Sequence, residues 1–360
     1  MYLCRLILPL SRMSDFQQKE DTSWLDNLRV VATISVIFLH VAAPFLYKFD
    51  KISGFNWWTA NVYDSLVRFC VPIFVMITGA LLLPKDYELS DYLKKRVTRI
   101  ILPFIFWISI YLLHVLSTLK NGFKLPFLEM LNIGSTKIAY KTTYHFWYIY
   151  MIIGIYLFIP ILSKWVKRAT EKDIIYFLVL WVIAIIIANP LFLKHIPDFN
   201  LKYFSGFVGY VVLGYYLSIR NFEKVKHIRT ISFFIFTTGV LLTIFGTYFL
   251  SISNGRFTID LYTYFSPNVV IAAIGLFLFF KHTNLVNPQL KVIRKFTNKH
   301  SFGIYFVHIL VLYYLSRFGV NGAVFGVVFG IPLTTILCLA ISGLIIYLLK
   351  KLPFGDKLAG

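Results

Sequence analysis

The chain has 360 residues, 58% of them apolar and only 14% charged, and a formal net charge of +20. With a mean hydropathy of +0.72, this composition excludes a soluble domain of ordinary surface and points to an integral membrane protein. The surplus Lys and Arg lie between apolar runs, a distribution that orients a chain in a bilayer and argues against nucleic acid as its cause.

Residues 1–10, MYLCRLILPL, faintly resemble a secretion signal, but the apolar stretch is short and no small-residue cleavage site follows. An equally good reading starts translation at Met13. Ten runs then reach the length of about 17–25 residues needed to cross a bilayer. They are 28–46, 66–83, 100–119, 146–162, 174–190, 203–219, 230–250, 265–280, 301–318 and 323–349. Each is continuously apolar rather than alternating, so helices are expected, not barrel strands. The expected fold class is all-α. It is a polytopic membrane helical bundle of about ten transmembrane helices, one domain over 27–350, with tails 1–26 and 351–360. The longest connection is 120–145.

Of the 36 Lys and Arg, 24 fall in the two tails and every second connection, 9 in the alternate connections and three inside runs. The positive-inside rule then puts both termini in the cytoplasm. The three cysteines, Cys4, Cys70 and Cys338, have no CxxC spacing, and an odd count leaves one unpaired. Neither a disulfide framework nor a metal site is expected.

Polar residues enter the apolar runs unevenly. Arg29 and His40 share the first run, eleven residues apart. Eleven steps of about 100° return to nearly the same helix face, roughly 16 Å further along. Ionisable groups are costly in hydrocarbon, so such a pair marks a site. Arg29 can hold a phosphate or carboxylate, and His40 can take a proton from a hydroxyl near neutral pH. The plainer reading is a snorkelling Arg and a His bonded to another helix.

Further along, Asp64 and Arg68 are four apart and are expected to pair structurally near the outer interface. Pro72 and Gly79 weaken the second run; Gly79 permits close helix approach. Arg96 and Arg99, three apart, face together if their helix begins early, and two forked guanidinium groups suit a phosphorylated ligand. Basic clusters also flank spans merely to fix orientation or touch anionic lipid. His114 reads as structural. His145 opens the fourth run from the outer side, and His308 lies about 10 Å into the ninth, counted from Ser301. His195, His227, His282 and His300 fall in expected loops. No GxSxG elbow, GxxxxGK[ST] loop, HExxH or Rossmann glycine pattern is present.

At these residues the chain resembles the membrane acyltransferase-3 family over nearly its whole length. Trp24-Leu-Asp-Asn-Leu-Arg29 with ten residues before His40 is similar to the family's Arg-x10-His motif, and Arg96-Val-Thr-Arg99 to its Arg-x-x-Arg motif. Val71-Pro-Ile-Phe-Val-Met-Ile-Thr-Gly79, His145-Phe-Trp-Tyr with Tyr156 and Pro160, and Ser301-Phe-Gly-Ile-Tyr-Phe-Val-His308 follow in the family's order. Thr78 stands where many members have Ser; the hydroxyl is kept. Within the family the chain is most similar to the stand-alone branch that includes the enterobacterial common antigen O-acetyltransferase.

The resemblance implies a membrane O-acyltransferase, in the first instance an O-acetyltransferase of the bacterial cytoplasmic membrane. It would move an acyl group from cytosolic acetyl-CoA or another acyl-CoA to a hydroxyl of a cell-envelope polysaccharide or lipid-linked sugar. It carries the family's functional positions onto Arg29, His40, Arg96 and Arg99, with acyl-CoA as substrate and no permanently bound cofactor. His145 and His308 are second-tier candidates for orienting acceptor and donor. The rival is a transporter or flippase that exports a polysaccharide or its precursor, with the polar residues lining a path. Transporters usually carry internal repeats, and none is visible.

Overall fold

The computed structural model describes residues 22–119, 126, 128–129, 144–189, 206–283 and 291–360. Cys4, Met13, His195 and most of the 120–145 connection lie outside them. The described residues form helices and turns without a strand. The helices are α1 Ser23–Leu46, α2 Gly54–Val67, α3 Cys70–Leu82, α4 Leu89–Thr118, α5 Trp147–Arg168, α6 Glu171–Ala188, α7 Val208–Ile219, α8 Ile228–Ser253, α9 Pro267–Lys281, α10 Lys291–Arg317, α11 Val327–Leu349 and α12 Gly355–Ala359.

Among the described residues, seven helical stretches are long and apolar enough to cross a membrane: Ser23–Leu46, Gly54–Leu82, Leu89–Thr118, Tyr144–Arg168, Ile228–Ser253, Asp260–Lys281 and Val327–Leu349. The chain is a multi-pass membrane protein. Each of the ten expected runs overlies a helix. The three outside the seven are α6, α7 and α10. At 12 residues α7 is too short to span alone. A charged first turn dilutes α6, and α10 carries polar residues along its length, among them Lys299, His300, His308 and Arg317.

The second expected run is a broken rod. α2 and α3 part at Arg68 and Phe69, and Pro72 sits in the first turn of α3, where its missing N–H costs no helical bond. The break falls four residues before the proline that hinted at it.

The chain divides into two compact units, residues 1–87 with 158–295 and residues 88–157 with 296–360; two of the three divisions fall inside α5 and α10, and the third falls just before α4. In the first unit α1 packs on α2, α3 and α9; α3 pairs with α7, and α8 with α9. Leu28, Ile37, Leu46, Ile73, Met76, Tyr210 and Phe277 are fully buried there. The α3–α7 contact depends on two small residues. A Cβ at Gly79 would lie 1.9 Å from Val211 O, and one at Gly214 would lie 2.2 Å from Met76 O. Each glycine lets the opposite backbone approach, as expected for Gly79.

In the second unit Trp107 stacks on Phe306 at 6.3 Å between ring centroids, and the Tyr111 hydroxyl donates to Phe306 O at 3.0 Å. The expected 351–360 tail contains α12, which packs on α4 and α11.

Candidate functional site

Arg29 and His40 lie on one unbroken helix, with Pro44 beyond both. Along the same face runs Thr33, whose hydroxyl donates to Arg29 O at 2.8 Å. The helix therefore keeps the spacing that aligns a guanidinium and an imidazole about 16 Å apart on one edge. Both residues are half-buried. Arg29 Nη1 pairs with Asp26 Oδ1 at 3.0 Å, with the Arg side chain 26% exposed. That i, i+3 contact holds the fork near the start of α1.

A second charged group in the same unit is fully buried. Arg68 Nε donates to Asp64 Oδ1, and Asp64 has no exposed surface. The guanidinium lies 4.3 Å from the Tyr262 ring centroid and donates through Nη1 to Tyr262 O at 3.4 Å. The Tyr262 hydroxyl donates to Asn61 Oδ1 at 2.6 Å and lies 2.9 Å from Ser65 Oγ; Asn61 Nδ2 donates to Ile244 O at 3.0 Å. The expected pairing is present. It is part of a buried network joining α2, α8 and the turn before α9. The local spacing showed the pair; only the tertiary fold supplies Tyr262, about two hundred residues away.

In the second unit, α4 begins early enough to carry both Arg96 and Arg99. Their settings differ. Arg96 is half-buried, its guanidinium 5.8 Å from the Tyr92 ring and 5.4 Å from the Tyr156 ring, beside a groove lined by Ile100, Ile153 and Leu157. Arg99 is exposed. Lys350 Nζ donates to Lys299 O at 3.2 Å and Gly360 O at 2.8 Å. Burial lowers the Lys350 pKa; Asp356 opposes this, and the charges of Lys299 and Arg99 add to it.

His145 and His308 come together. Their ring centroids are 5.3 Å apart and both are buried. His308 Nδ1 lies 2.6 Å from Tyr305 O and 3.2 Å from Ile304 O. Two carbonyl neighbours fix Nδ1 as the protonated nitrogen and leave Nε2 as the acceptor. The Tyr305 hydroxyl donates to His145 O. α10 begins at Lys291, ten residues before the apolar run that holds His308, so His308 lies roughly 26 Å along the axis from the helix start. His300 is likewise helical, not in a loop. His114 Nδ1 lies 3.1 Å from the Tyr314 hydroxyl, the structural setting expected of it. Among the described residues no three His, Cys, Asp or Glu side chains gather as metal ligands.

One charged neighbour of α1 escaped the sequence reading. Arg294, in the first turn of α10, donates through Nη1 to Asn27 Oδ1 at 3.0 Å. In the sequence it is one more basic residue beside an apolar run.

Comparison with known proteins adds two findings. The profile of the acyltransferase-domain family matches residues 22–343. The Acidianus two-tailed virus protein "Putative acetyltransferase ORF330" is 26% identical over 336 residues, covering 86% of this chain and 88% of its own. No solved structure matches the chain.

Proposed function

Because the chain belongs to the acyltransferase-domain family, we propose that it is a membrane O-acyltransferase moving an acetyl group from acetyl-CoA to a hydroxyl of a cell-envelope glycan or lipid-linked sugar. The observation that carries this reading is the unbroken α1, with Arg29 and His40 on one edge of a helix that crosses the membrane. The name of the viral relative agrees with acetyl transfer. The motif order favours the stand-alone branch and a bacterial plasma membrane, with both termini on the cytoplasmic side.

In this mechanism Arg29 holds a donor phosphate at the cytoplasmic end, and Arg96 and Arg99 also bind the donor. His40 accepts the proton of the acceptor hydroxyl as its oxygen attacks the thioester carbonyl. The carbon–sulfur bond then breaks, and the leaving thiolate takes the proton from the imidazolium. If His40 instead carries the acyl group, the same nitrogen attacks the thioester carbonyl first, the carbon–sulfur bond breaks and the thiolate leaves; the acceptor hydroxyl then attacks the acyl-imidazole, taking the acetyl group, and its proton is left to the thiolate. His145 and His308 orient acceptor and donor.

The test is transfer of radiolabel from acetyl-CoA to envelope glycan by membranes with and without this protein. Label that depends on the protein supports the reading. Glycan moved across the membrane without label would replace it with a transporter.

A further inference from the structure

The first turn of α10 carries Lys291, Arg294 and Lys295, and no acidic residue occurs between 291 and 299. Arg294 belongs to the first unit, as α1 does. Its bond to Asn27 brings a second guanidinium to the turn of α1 that bears Arg29. The two arginines are held differently. Arg29 is paired with the carboxylate of Asp26. Arg294 is held by a neutral amide, which leaves its charge whole, and no carboxylate pairs with it among the described residues.

A guanidinium offers five N–H donors in a planar fork, and the Asn27 bond uses one. A half-buried fork pinned at one corner by an amide, with its charge uncompensated, suits a bidentate phosphate contact. The nucleotide half of coenzyme A bears several phosphate groups. Arg29, part-neutralised by Asp26, leaves most of that negative charge unmatched. We propose that Arg294 binds a phosphate of the donor's nucleotide half and grips acyl-CoA together with Arg29 at the start of α1. The inference rests on the acyl-CoA reading given above.

The experiment compares steady-state transfer from acetyl-CoA and from acetyl-pantetheine, which lacks the nucleotide phosphates. The variants are Arg294→Ala and Arg294→Gln; the glutamine keeps an amide N–H donor but is shorter and loses the charge and the fork. Losing one charge-assisted hydrogen bond should raise KM for acetyl-CoA about tenfold in both variants. The kcat should stay near wild type, and KM for acetyl-pantetheine should not move. An Arg294→Gln protein with wild-type KM for acetyl-CoA overturns the proposal. So does an equal rise for both donors, which would make the arginine a tether between helices and nothing more. Wild-type protein that transfers from neither donor would instead overturn the acyl-CoA reading itself.

Discussion

Asp64 shows how much one residue can hold in place. It has no exposed surface, it faces the Arg68 guanidinium, and Arg68 lies against the Tyr262 ring. Removing one partner of a buried ion pair leaves an uncompensated charge, at a cost of about 3–5 kcal/mol, whereas removing both costs much less. Asp64→Ala should therefore lower the thermal unfolding midpoint in detergent strongly. The Asp64→Ala, Arg68→Ala double variant should recover part of the loss. A double variant less stable than Asp64→Ala would show that Arg68 stabilises through Tyr262 rather than through the carboxylate. The spacing of four made this pair legible in the sequence. Its burial was not, because that depends on Tyr262 and Asn61 meeting across the fold. The same limit applies to Arg294: nothing local to residues 291–295 signals that Asn27 is its partner.

At the scale of the element, helix contacts here depend on backbone approach. A methyl group at Gly79 would sit 1.9 Å from Val211 O, and backbone cannot swing aside as a long side chain can. Gly79→Ala should push α3 from α7 and cost about 1–3 kcal/mol, the range for overpacking. Gly54→Ala, at the open start of α2 with nothing within 4 Å of the added carbon, is the control and should leave the unfolding midpoint unchanged. Equal midpoints for the two variants would contradict a tight α3–α7 contact. The sequence showed that Gly79 permits close approach but not against which helix, since Gly214 lies far along the chain. Helix ends were less legible than helix existence. Hydropathy marks where hydrocarbon begins, while α10 runs ten residues further, through Lys291, Arg294, Lys295 and Lys299.

For the molecule as a whole, the all-helical class and the multi-pass character follow from long apolar runs that alternate with basic connections. The order of motifs foretold the family that the matched residues 22–343 show. The division into two units was not foretold, because two of its three boundaries fall inside continuous helices. The meeting of His145 and His308 was equally hidden, since their runs are separated by more than a hundred residues.

The central claim assigns different work to the two ends of one edge of α1: Arg29 grips the donor, and His40 moves the proton or carries the acyl group. The measurement that separates these roles is donor affinity and turnover in purified His40→Ala protein. Loss of a positioned base should lower kcat by about 10²–10⁴-fold while the Kd for acetyl-CoA stays near wild type. Transfer at the wild-type rate by His40→Ala would contradict the account.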